Sequence, residues 1–326
     1  MGEFDLIRRY FQRPARAAVL GIGDDCALLQ PRPGHQLAIS TDMLVQGRHF
    51  LADTDPFQLG HKALAVNLSD LAACGARPLA FTLALALPEA NAAWLEPFAR
   101  GLLALADAYG CELVGGDTTQ GPLNICITVL GEVPVVSGRS MALLRSGAHA
   151  GDDIYVSGTL GDARLALDAL LGRLVLPPEL LAQARLRLEG PTPRIELGMA
   201  LRGIATAAID ISDGLLGDLG HILAASQVGA RIDVSTTSAL MACHGTEPAS
   251  VLSPGHVQTC TLAGGDDYEL AFTAAPTARA DIQAAAQASA IRITRIGSIE
   301  SAPGLRLVDA QGLELPNHYA SFDHFA

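Results

Sequence analysis

Hydrophobic and polar positions follow two alternating periods along this chain, one helical and one extended. The segment 56–73 carries apolar residues at helical spacing, with Pro56 in its first turn and Gly75 and Pro78 just beyond its end. Further helices are predicted at 4–13, 94–109, 162–171, 214–226 and 279–289, and strands at 37–41, 82–87, 112–114, 124–133, 154–157, 206–211, 268–273 and 292–299. Because strands and helices alternate in both halves of the chain, the pattern predicts an α/β fold.

The loop from Pro134 to Asp153 is where the composition changes, because glycine and arginine residues collect there between two predicted strands. The chain has 326 residues, and a typical domain has roughly 150. We therefore expect two domains, at 1–137 and 138–326.

The composition indicates a folded protein. Hydrophobic residues make up 49% and charged residues 17%, which supplies a core and excludes a disordered chain. The net charge of −12 argues against general nucleic-acid binding, which normally needs a basic face. The first residues contain no apolar signal-peptide core, and the longest apolar run, 79–87, is too short to cross a bilayer. We expect a cytoplasmic protein with no membrane or nucleic-acid partner.

The six cysteines show neither C-x-x-C spacing nor a nearby histidine at a spacing typical of zinc sites. They are Cys26, Cys74, Cys111, Cys126, Cys243 and Cys260. We expect reduced and mostly buried thiols. A G-x-x-x-x-G-K-[ST] segment is also absent, so the sequence is not that of a P-loop enzyme.

Aspartates mark most of the positions where a predicted apolar strand gives way to Gly, Ser or Thr. They are Asp24, Asp25, Asp42, Asp70, Asp117, Asp210, Asp213, Asp266 and Asp267. One aspartate beside a glycine is a common turn former, but six separate sites at strand ends favour a shared ligand site. Proteins commonly hold Mg²⁺ with one or two carboxylates and the phosphates of a substrate. The pattern therefore indicates metal-dependent phosphate chemistry, in which an acidic protein binds a nucleotide through cations.

Three further segments could contact a phosphate or a metal. Ser212 is predicted to cap the helix 214–226, and its hydroxyl and the helix N-terminus suit a phosphate. The glycines of 115–118 allow the backbone to approach a phosphate closely. Asn67 and Asp70 share one face of the helix 56–73. They are either metal ligands, which we favour, or a buried polar pair.

Two basic side chains each have a functional and a structural interpretation. Arg145 could clamp a phosphate with its guanidinium fork, or it could be an ordinary surface arginine. His49 follows the strand 37–41 within a short loop. It could contact a substrate, or it could be a polar residue whose hydrogen bonds are made within the protein.

Eight segments, in order, resemble the thiamine-monophosphate kinase family. They are GIGDDCALL, AISTDMLVQGRHF, KALAVNLSDLAACGARP, ELVGGDTTQGP, RSGAHAGDDIYVSGTLGD, AIDISDGLLGDLGHI, GGDDYELAFT and FDHF. Single segments are also similar to the wider superfamily that includes aminoimidazole ribonucleotide synthetase and selenophosphate synthetase. The full set is specific to the thiamine-phosphate branch.

The resemblance implies a two-domain, aminoimidazole ribonucleotide synthetase-like fold with mixed sheets, in which a second subunit of a homodimer completes the N-terminal sheet. It implies transfer of the γ-phosphate of ATP to thiamine monophosphate with several Mg²⁺ ions, and leaves K⁺ open as a further cation. The implied metal ligands are Asp25, Ser40, Thr41, Asp42, Asp70, Asp117, Asp210 and Asp213. The implied ATP contacts are Tyr109, Gly116, Asp117, Arg145 and Ser212, and the implied thiamine-phosphate contacts are His49, Asp266 and Phe322.

Two departures from the family pattern concern these contacts. Asp266 stands where many relatives carry Glu, and the loop before Arg145 is long for the family. The acceptor would be a phosphate monoester, whose second pKa near 6 makes it an anion at neutral pH. A general base is then unnecessary, so we expect direct in-line transfer.

Other functions stay open from the residues alone. A selenophosphate synthetase would carry a reactive Cys near a glycine-rich segment, a hydrogenase-maturation relative would need a C-terminal cysteine, and a nucleotide-binding regulator would need no catalysis. The many carboxylates argue against the regulator. The choice of thiamine monophosphate over a similar phosphate acceptor comes from the resemblance.

Overall fold

The computed structural model describes residues 2–244 and 252–322, and the chain forms two compact units. Unit 1 comprises residues 1–71 and 76–141, and unit 2 comprises residues 72–75 and 142–326. The division falls after Met141, whereas the sequence predicts it after Ser137. None of the described helices is long and apolar enough to cross a membrane.

Unit 1 is built on a five-stranded mixed sheet with the order β1-β4-β2-β3, and β5 pairs with β4. The β2–β3 pair is parallel and the other pairs are antiparallel. Its strands are β1 (His35–Val45), β2 (Arg77–Leu87), β3 (Glu112–Gln120), β4 (Asn124–Val136) and β5 (Arg139–Ser140). Its helices are α1 (Glu3–Leu6), which continues as a π-helical turn at Ile7–Phe11, α2 (Pro56–Ala73) and α3 (Ala92–Tyr109).

Local signals account for the bounds of α2, which match the predicted 56–73. Asp55 precedes the helix, and its carboxylate accepts the backbone N–H groups of Phe57 and Gln58 at 2.9 and 3.1 Å. Gly75 ends the helix with a φ of 66°, which favours glycine. The apolar stripe of α2 is fully buried at Leu64 and Leu68. The helix therefore fixes its polar residues against the core of unit 1.

Strands β1 and β3 extend beyond their predicted bounds. β1 continues through Thr41 and Asp42 to Val45, and the segment 115–118 lies within β3 instead of in a turn. The β2–β3 register shifts at Phe81, so that β3 carries a bulge just before these residues. Gly116 has a φ of 146°, and a Cβ there would lie 1.9 Å from the carbonyl oxygen of Leu83. Only glycine lets the two strands approach this closely.

Unit 2 contains a seven-stranded sheet with the order β12-β11-β8-β10-β6-β9-β7. Only the β8–β11 pair is parallel among the pairs of this described sheet. Its strands are β6 (Asp153–Ser157), β7 (Ala207–Asp210), β8 (Gly229–Asp233), β9 (Leu270–Ala274), β10 (Ile293–Glu300), β11 (Gly304–Val308) and β12 (Glu314–Leu315). The helices are α4 (Asp162–Leu170), α5 (Pro178–Glu189), α6 (Ile195–Ala200), α7 (Leu215–Ser226), α8 (Val234–Ser238), α9 (Pro254–Ala263) and α10 (Arg279–Ser289).

Glu269, a buried carboxylate, lies next to the start of β9. It accepts hydrogen bonds from Arg187 Nη2 at 2.7 Å, Arg194 Nε at 2.6 Å and Ser157 Oγ at 2.6 Å. The Ser157 hydroxyl oxygen also accepts the backbone N–H of Leu270 at 2.8 Å. Two guanidinium groups and one serine therefore compensate the buried charge and join β6, β9 and α5.

Asp153 is a second buried carboxylate, at the start of β6. Arg279 Nε donates to Asp153 Oδ2 at 2.7 Å, and Arg295 contacts Oδ1. Burial alone would raise the pKa of Asp153, but the hydrogen bonds from these two arginines outweigh it and hold the pKa below its ordinary value. This ion pair links β6 to α10 and β10.

Candidate active site

The inward face of β1 carries two of the predicted metal ligands beside α2. Ser40 Oγ donates a short hydrogen bond to Asp70 Oδ2. The backbone N–H of Asp42 donates to Asn67 Oδ1 at 3.0 Å. Asn67 Nδ2 in turn donates to the carbonyl of Ala63 at 3.0 Å, which fixes the amide orientation. The structure therefore brings Ser40, Asp42 and Asp70 together and uses Asn67 to hold β1 against the helix.

Thr41 lies on the opposite face of β1, because successive side chains of a strand alternate. Its Oγ1 lies 2.8 Å from Oγ1 of Thr128 on β4. The structure does not bring the Thr41 side chain together with those of Ser40 and Asp42. Its part as a metal ligand stays a prediction.

A cleft of about 640 Å³ opens in unit 1 between the N-terminal residues and β3. Two of the predicted segments line it, 22–25 with Asp24 and Asp25, and 113–118 with Gly116 and Asp117. All four of these residues are exposed. Tyr109, at the end of α3, is not among the described residues that line this cleft. The cleft thus places carboxylate oxygens from two distant segments around one space of nucleotide size.

His49 has a defined structural contact in the turn after β1. Its Nδ1 accepts the backbone N–H of Val45 at 3.0 Å, and its own N–H donates to the Val45 carbonyl at 3.0 Å. A neutral ring that accepts at Nδ1 carries its proton on Nε2, which makes Nε2 a donor. The turn therefore orients the ring, and its substrate contact stays a prediction.

The segment 210–214 connects β7 to α7 and carries two predicted metal ligands. Asp210 ends β7, where it pairs with Leu270 of β9, and only 6% of it is exposed. The N-cap of α7 is Gly214, which has no side-chain cap, so the prediction that Ser212 caps this helix is wrong. The helix begins at Leu215, two residues later than a cap at Ser212 requires, and Asp218 in its first turn binds the amides of residues 212–214.

Asp218 lies in the first turn of α7, and its Oδ2 accepts three backbone N–H groups. The donors are Ser212, Asp213 and Gly214, at 3.0, 3.1 and 3.1 Å. Burial raises the pKa of the Asp218 carboxyl to about 7, and the three amide donors oppose that rise. These three amides therefore already bind a carboxylate, and the phosphate contact of the Ser212 hydroxyl stays a prediction.

The segment 264–269 contains the predicted substrate contact Asp266 and contacts the segment 210–214. Asp266 has a φ of 68° and Tyr268 a φ of 51°. Their N–H groups donate to the carbonyls of Ser212 and Ile211, both at 2.8 Å. The Tyr268 hydroxyl donates to Asp266 Oδ1 at 3.3 Å. The chain thus adopts a rarely populated backbone conformation beside the predicted metal ligands.

Asp267, between those two residues, is buried, and its Oδ2 accepts the backbone N–H of Gly161 at 2.8 Å. Burial raises the pKa of Asp267 well above its ordinary value. Its neighbour in sequence, Asp266, is half-buried. The two aspartates of this segment therefore have different environments, and the buried Asp267 links the segment to the backbone at Gly161.

Arg145 and Phe322 also lie near these segments of unit 2. The Arg145 side chain is exposed, and its carbonyl accepts the Ser226 hydroxyl at 3.2 Å. The preceding Leu144 carbonyl accepts the N–H of Ala208 in β7 at 2.9 Å. Phe322 is half exposed, and its N–H donates to the Asp213 carbonyl at 3.2 Å. The nucleotide contact of Arg145 and the thiamine-phosphate contact of Phe322 stay predictions.

Among the described residues, one group of three metal-ligating side chains has its ligand atoms within 4.8 Å of one another, Asp168, His256 and Cys260. His256 and Cys260 lie four residues apart on α9, so the sequence reading that no cysteine has a histidine at such a spacing is wrong. Arg164 and Arg173 already bind Asp168, and burial raises the pKa of Cys260 to about 12. We assign no metal to this group.

Only Cys26 is exposed among the six cysteines, and it follows Asp25 directly at the cleft of unit 1. The others are buried or half-buried. Burial raises the pKa of Cys111 and of Cys243. Burial and the nearby charge of Asp42 both raise the pKa of Cys126.

The predicted metal ligands are all oxygen donors, which fits Mg²⁺. Within the described parts of the chain they form no group of three carboxylates with ligand atoms within 4.8 Å. Mg²⁺ typically binds one or two carboxylates and completes its shell with water and phosphate oxygens. Separated carboxylates in the cleft and on β1 therefore suit metal ions that arrive with a nucleotide.

Two family models match the chain. The model for the N-terminal domain of AIR synthase related protein matches residues 23–133, and that for the C-terminal domain matches residues 150–310. Together they cover most of both units. They define the class as a two-domain protein of the AIR synthase related kind, with the mixed sheets that the resemblance implied.

Relatives of full length narrow the class further. The chain is 47% identical to a thiamine-monophosphate kinase of Salmonella typhimurium, over all of this chain and 98% of that protein. It is 41% identical to a thiamine-monophosphate kinase of Haemophilus influenzae with the same coverage. The chain belongs to the thiamine-monophosphate kinase family.

Solved structures show the same fold. A thiamine-monophosphate kinase from Stenotrophomonas maltophilia is 46% identical, with a TM-score of 0.82 over 93% of this chain and 94% of that one. AaThiL complexed with AMPPCP and TMP is 29% identical, with a TM-score of 0.74 over 91% and 89%. HypE of E. coli, a hydrogenase maturation protein, has a TM-score of 0.75 at 22% identity, over 97% and 96%, and shows the fold alone.

Proposed function

We propose that this protein transfers the γ-phosphate of ATP to thiamine monophosphate, giving ADP and thiamine diphosphate. The observation that carries the proposal is the likeness along the whole chain to thiamine-monophosphate kinases, including one in complex with an ATP analogue and TMP. The cleft of unit 1 supports the proposal, because it offers a space of nucleotide size lined by Asp25 and Asp117.

The proposed metal ligands of unit 1 belong to two places, the cleft and the inward face of β1. The cleft has Asp25 and Asp117, with Gly116 allowing the nucleotide to approach the backbone. The inward face of β1 has Ser40 and Asp42, with Asp70 beside them on α2. Thr41 is a further proposed metal ligand, and Tyr109 is proposed to contact the nucleotide. Bound Mg²⁺ would supply charge neutralisation between two anionic phosphates.

Unit 2 supplies the remaining residues of the proposal. Asp210 and Asp213 bind metal, and Arg145 and Ser212 contact the nucleotide phosphates. The thiamine phosphate is proposed to contact Asp266, Phe322 and, from unit 1, His49.

The proposed chemistry is a direct in-line transfer. An oxygen of the acceptor phosphate forms the new P–O bond while the bond from the γ-phosphorus to the bridging oxygen breaks, and ADP leaves with that electron pair. The acceptor oxygen is already anionic at neutral pH, so no base has to remove a proton. The protein's task is to position two anions in line. A phosphorylated residue trapped after incubation with ATP alone would contradict this mechanism.

An ADP-release assay tests the proposed function. The protein with ATP and Mg²⁺ is offered thiamine, thiamine monophosphate or aminoimidazole ribonucleotide precursors in parallel. We expect release with the monophosphate and little with the others. Equal release with all acceptors would overturn the choice of substrate, and nucleotide binding without release would favour a regulator. Adding or omitting K⁺ in the same assay tests its requirement.

We also propose a homodimer formed through the outward face of β1. This strand ends the sheet order of unit 1, and it exposes Leu37, Ile39 and Met43 on one face, with Ile39 63% exposed. A row of apolar side chains on an edge strand is a surface that proteins normally cover. Light scattering after size exclusion should show a dimer for the natural chain and a monomer for Ile39→Glu. Val175→Glu, at an exposed apolar residue of unit 2, is the matched control and should remain dimeric.

A further inference from the structure

Asp218 lies at the junction of two segments with proposed functions. Its buried carboxylate, 4% exposed, accepts the N–H groups of the three consecutive residues that end with Gly214. One of these residues is the proposed metal ligand Asp213, and another is the proposed nucleotide contact Ser212. The side chain therefore fixes the path of the backbone on both sides of a metal ligand without being placed to bind the metal itself.

The opposite side of the same backbone is fixed by the segment of Asp266. The Ser212 carbonyl accepts the Asp266 N–H at 2.8 Å, and the Ile211 N–H donates to the Glu269 carbonyl at 2.8 Å. A Cβ on Gly265 would lie 2.5 Å from the Ser212 carbonyl oxygen, so the two segments are in close contact. A shift of Ser212 must therefore move Asp266 as well.

We propose that Asp218 is a positioning residue that holds the metal-binding segment 210–214 in register with the thiamine-phosphate-binding segment 264–268. The proposal rests on the proposed function. Loss of the Asp218 carboxylate releases three buried amides, which must then find other acceptors. The segment moves, and both Mg²⁺ binding and acceptor binding weaken together, although Asp218 touches neither.

The matched control for this role is Asp233, at the start of α8. Its carboxylate accepts the N–H groups of Ser235 and Thr236 at 2.9 and 3.2 Å, so it too holds consecutive backbone amides at a helix start. Its hydrogen-bond partners Ser235 and Thr236 belong to α8 and lie outside both segments. Asp233 is half-buried, and removing it tests whether losing a carboxylate that holds backbone amides at another helix start of unit 2 has the same effect.

The variants Asp218→Ala, Asp218→Asn and Asp233→Ala are compared with the natural protein. Three quantities are measured: the Mg²⁺ concentration for half-maximal ADP release, the KM for thiamine monophosphate, and Mn²⁺ binding followed by electron paramagnetic resonance. We expect Asp218→Ala to raise the half-maximal Mg²⁺ concentration and the KM, and to weaken Mn²⁺ binding, each by about 10–100-fold. This is the range found when outer-shell partners of metal ligands are removed. Asp218→Asn keeps one oxygen acceptor and should lie between it and the natural protein. Asp233→Ala should match the natural protein.

Hydrogen exchange supplies a second readout that does not depend on turnover. The amides of Ser212, Asp213 and Gly214 should be protected in the natural protein and should exchange faster in both Asp218 variants. Amides of segment 264–268 should lose protection with them. In Asp233→Ala, only the start of α8 should change.

Three results would overturn the proposal. The first is a folded Asp218→Ala with Mg²⁺ and acceptor constants within about twofold of the natural values. The second is an equal loss in Asp233→Ala. The third applies if Asp218→Ala does not fold. In that case an Asp218→Asn variant with the natural Mg²⁺ and acceptor constants would overturn the proposal. Absence of turnover in the natural protein with thiamine monophosphate would instead refute the proposed function, and Mn²⁺ binding would still test the role of Asp218 in metal binding.

Discussion

Glu269→Gln removes the charge from the most fully compensated carboxylate of unit 2. The Glu269 side chain is buried, and its partners Arg187 and Arg194 have side chains only 20% and 11% exposed. The glutamine has the same shape, but it replaces one acceptor oxygen with an NH₂ group. That group cannot accept the hydrogen bonds that Arg187 and Arg194 donate to the carboxylate. Two buried guanidinium groups then lose their counter-charge.

The expected cost follows from that burial. Breaking a buried ion pair by removing one partner typically costs about 3–5 kcal/mol, because the remaining charge is uncompensated. For a unit of this size, each kcal/mol lowers the melting temperature by about 2–4 °C. We therefore expect unfolding of unit 2 to move down by about 6–20 °C.

Differential scanning calorimetry of the full chain measures this shift, and urea unfolding gives the free energy. Glu300→Gln is the control, because Glu300 pairs with Arg306 at 3.0 Å where both side chains are about 30% exposed. Such a pair contributes about 0–1 kcal/mol. A loss below about 1 kcal/mol in Glu269→Gln, or one no larger than in the control, would refute the argument that burial makes this pair costly to break.

Three further predictions concern the two faces of β1, the β2–β3 contact and the buried ion pair of β6. Asp42→Asn should abolish ADP release with an unchanged circular dichroism spectrum, and Thr41→Val, on the other face, should raise the Mg²⁺ concentration for half-maximal release, because both residues are proposed metal ligands. Natural ADP release in Asp42→Asn would make Asp42 a structural residue, and a natural Mg²⁺ requirement in Thr41→Val would remove Thr41 from the proposed ligands. Gly116→Ala places a Cβ 1.9 Å from the Leu83 carbonyl and should lower the melting temperature, which a scan showing no change would contradict. Asp153 has a pKa below its ordinary value, so its contribution to stability is complete above the ordinary aspartate pKa of about 3.9 and is lost as the pH falls through the lower folded pKa. Asp153→Asn should therefore reduce the loss of stability measured by urea unfolding between about pH 5 and pH 2. An unchanged loss of stability over this range would contradict the argument.

Elements with local signals at both ends could be predicted from the sequence. Helix α2 has its bounds because Asp55 and Pro56 begin it and Gly75 ends it. Helix α10 also matches the predicted 279–289, although its N-cap Ala278 offers no side-chain cap and its C-cap is Ala290. Strands were harder to delimit. Thr41 and Asp42 look like the end of a strand because they are polar, yet β1 is an edge strand, which tolerates polar side chains along its length.

Long-range contacts explain what the sequence did not show at the site. Ser212 is not the cap because α7 begins at Leu215, and the amides of residues 212–214 instead bind the Asp218 carboxylate from within the helix, which no local sequence signal indicated. The strand predicted at 112–114 stops before two glycines, but β3 continues to Gln120, and Gly116 is required there by the close approach of Leu83 on the neighbouring strand. The spacing of four between His256 and Cys260 is visible in the sequence, and on a helix it places both side chains on one face.

The exposure of Cys26 gives the molecule a built-in chemical label position. Because the other described cysteines are shielded, a thiol-reactive fluorophore at low ratio should modify this one first. The modified residue would lie between Asp25 and Ala27, which both line the cleft of unit 1. Without any engineered cysteine, the emission of such a probe would report occupancy of that cleft, so nucleotide binding could be followed separately from turnover.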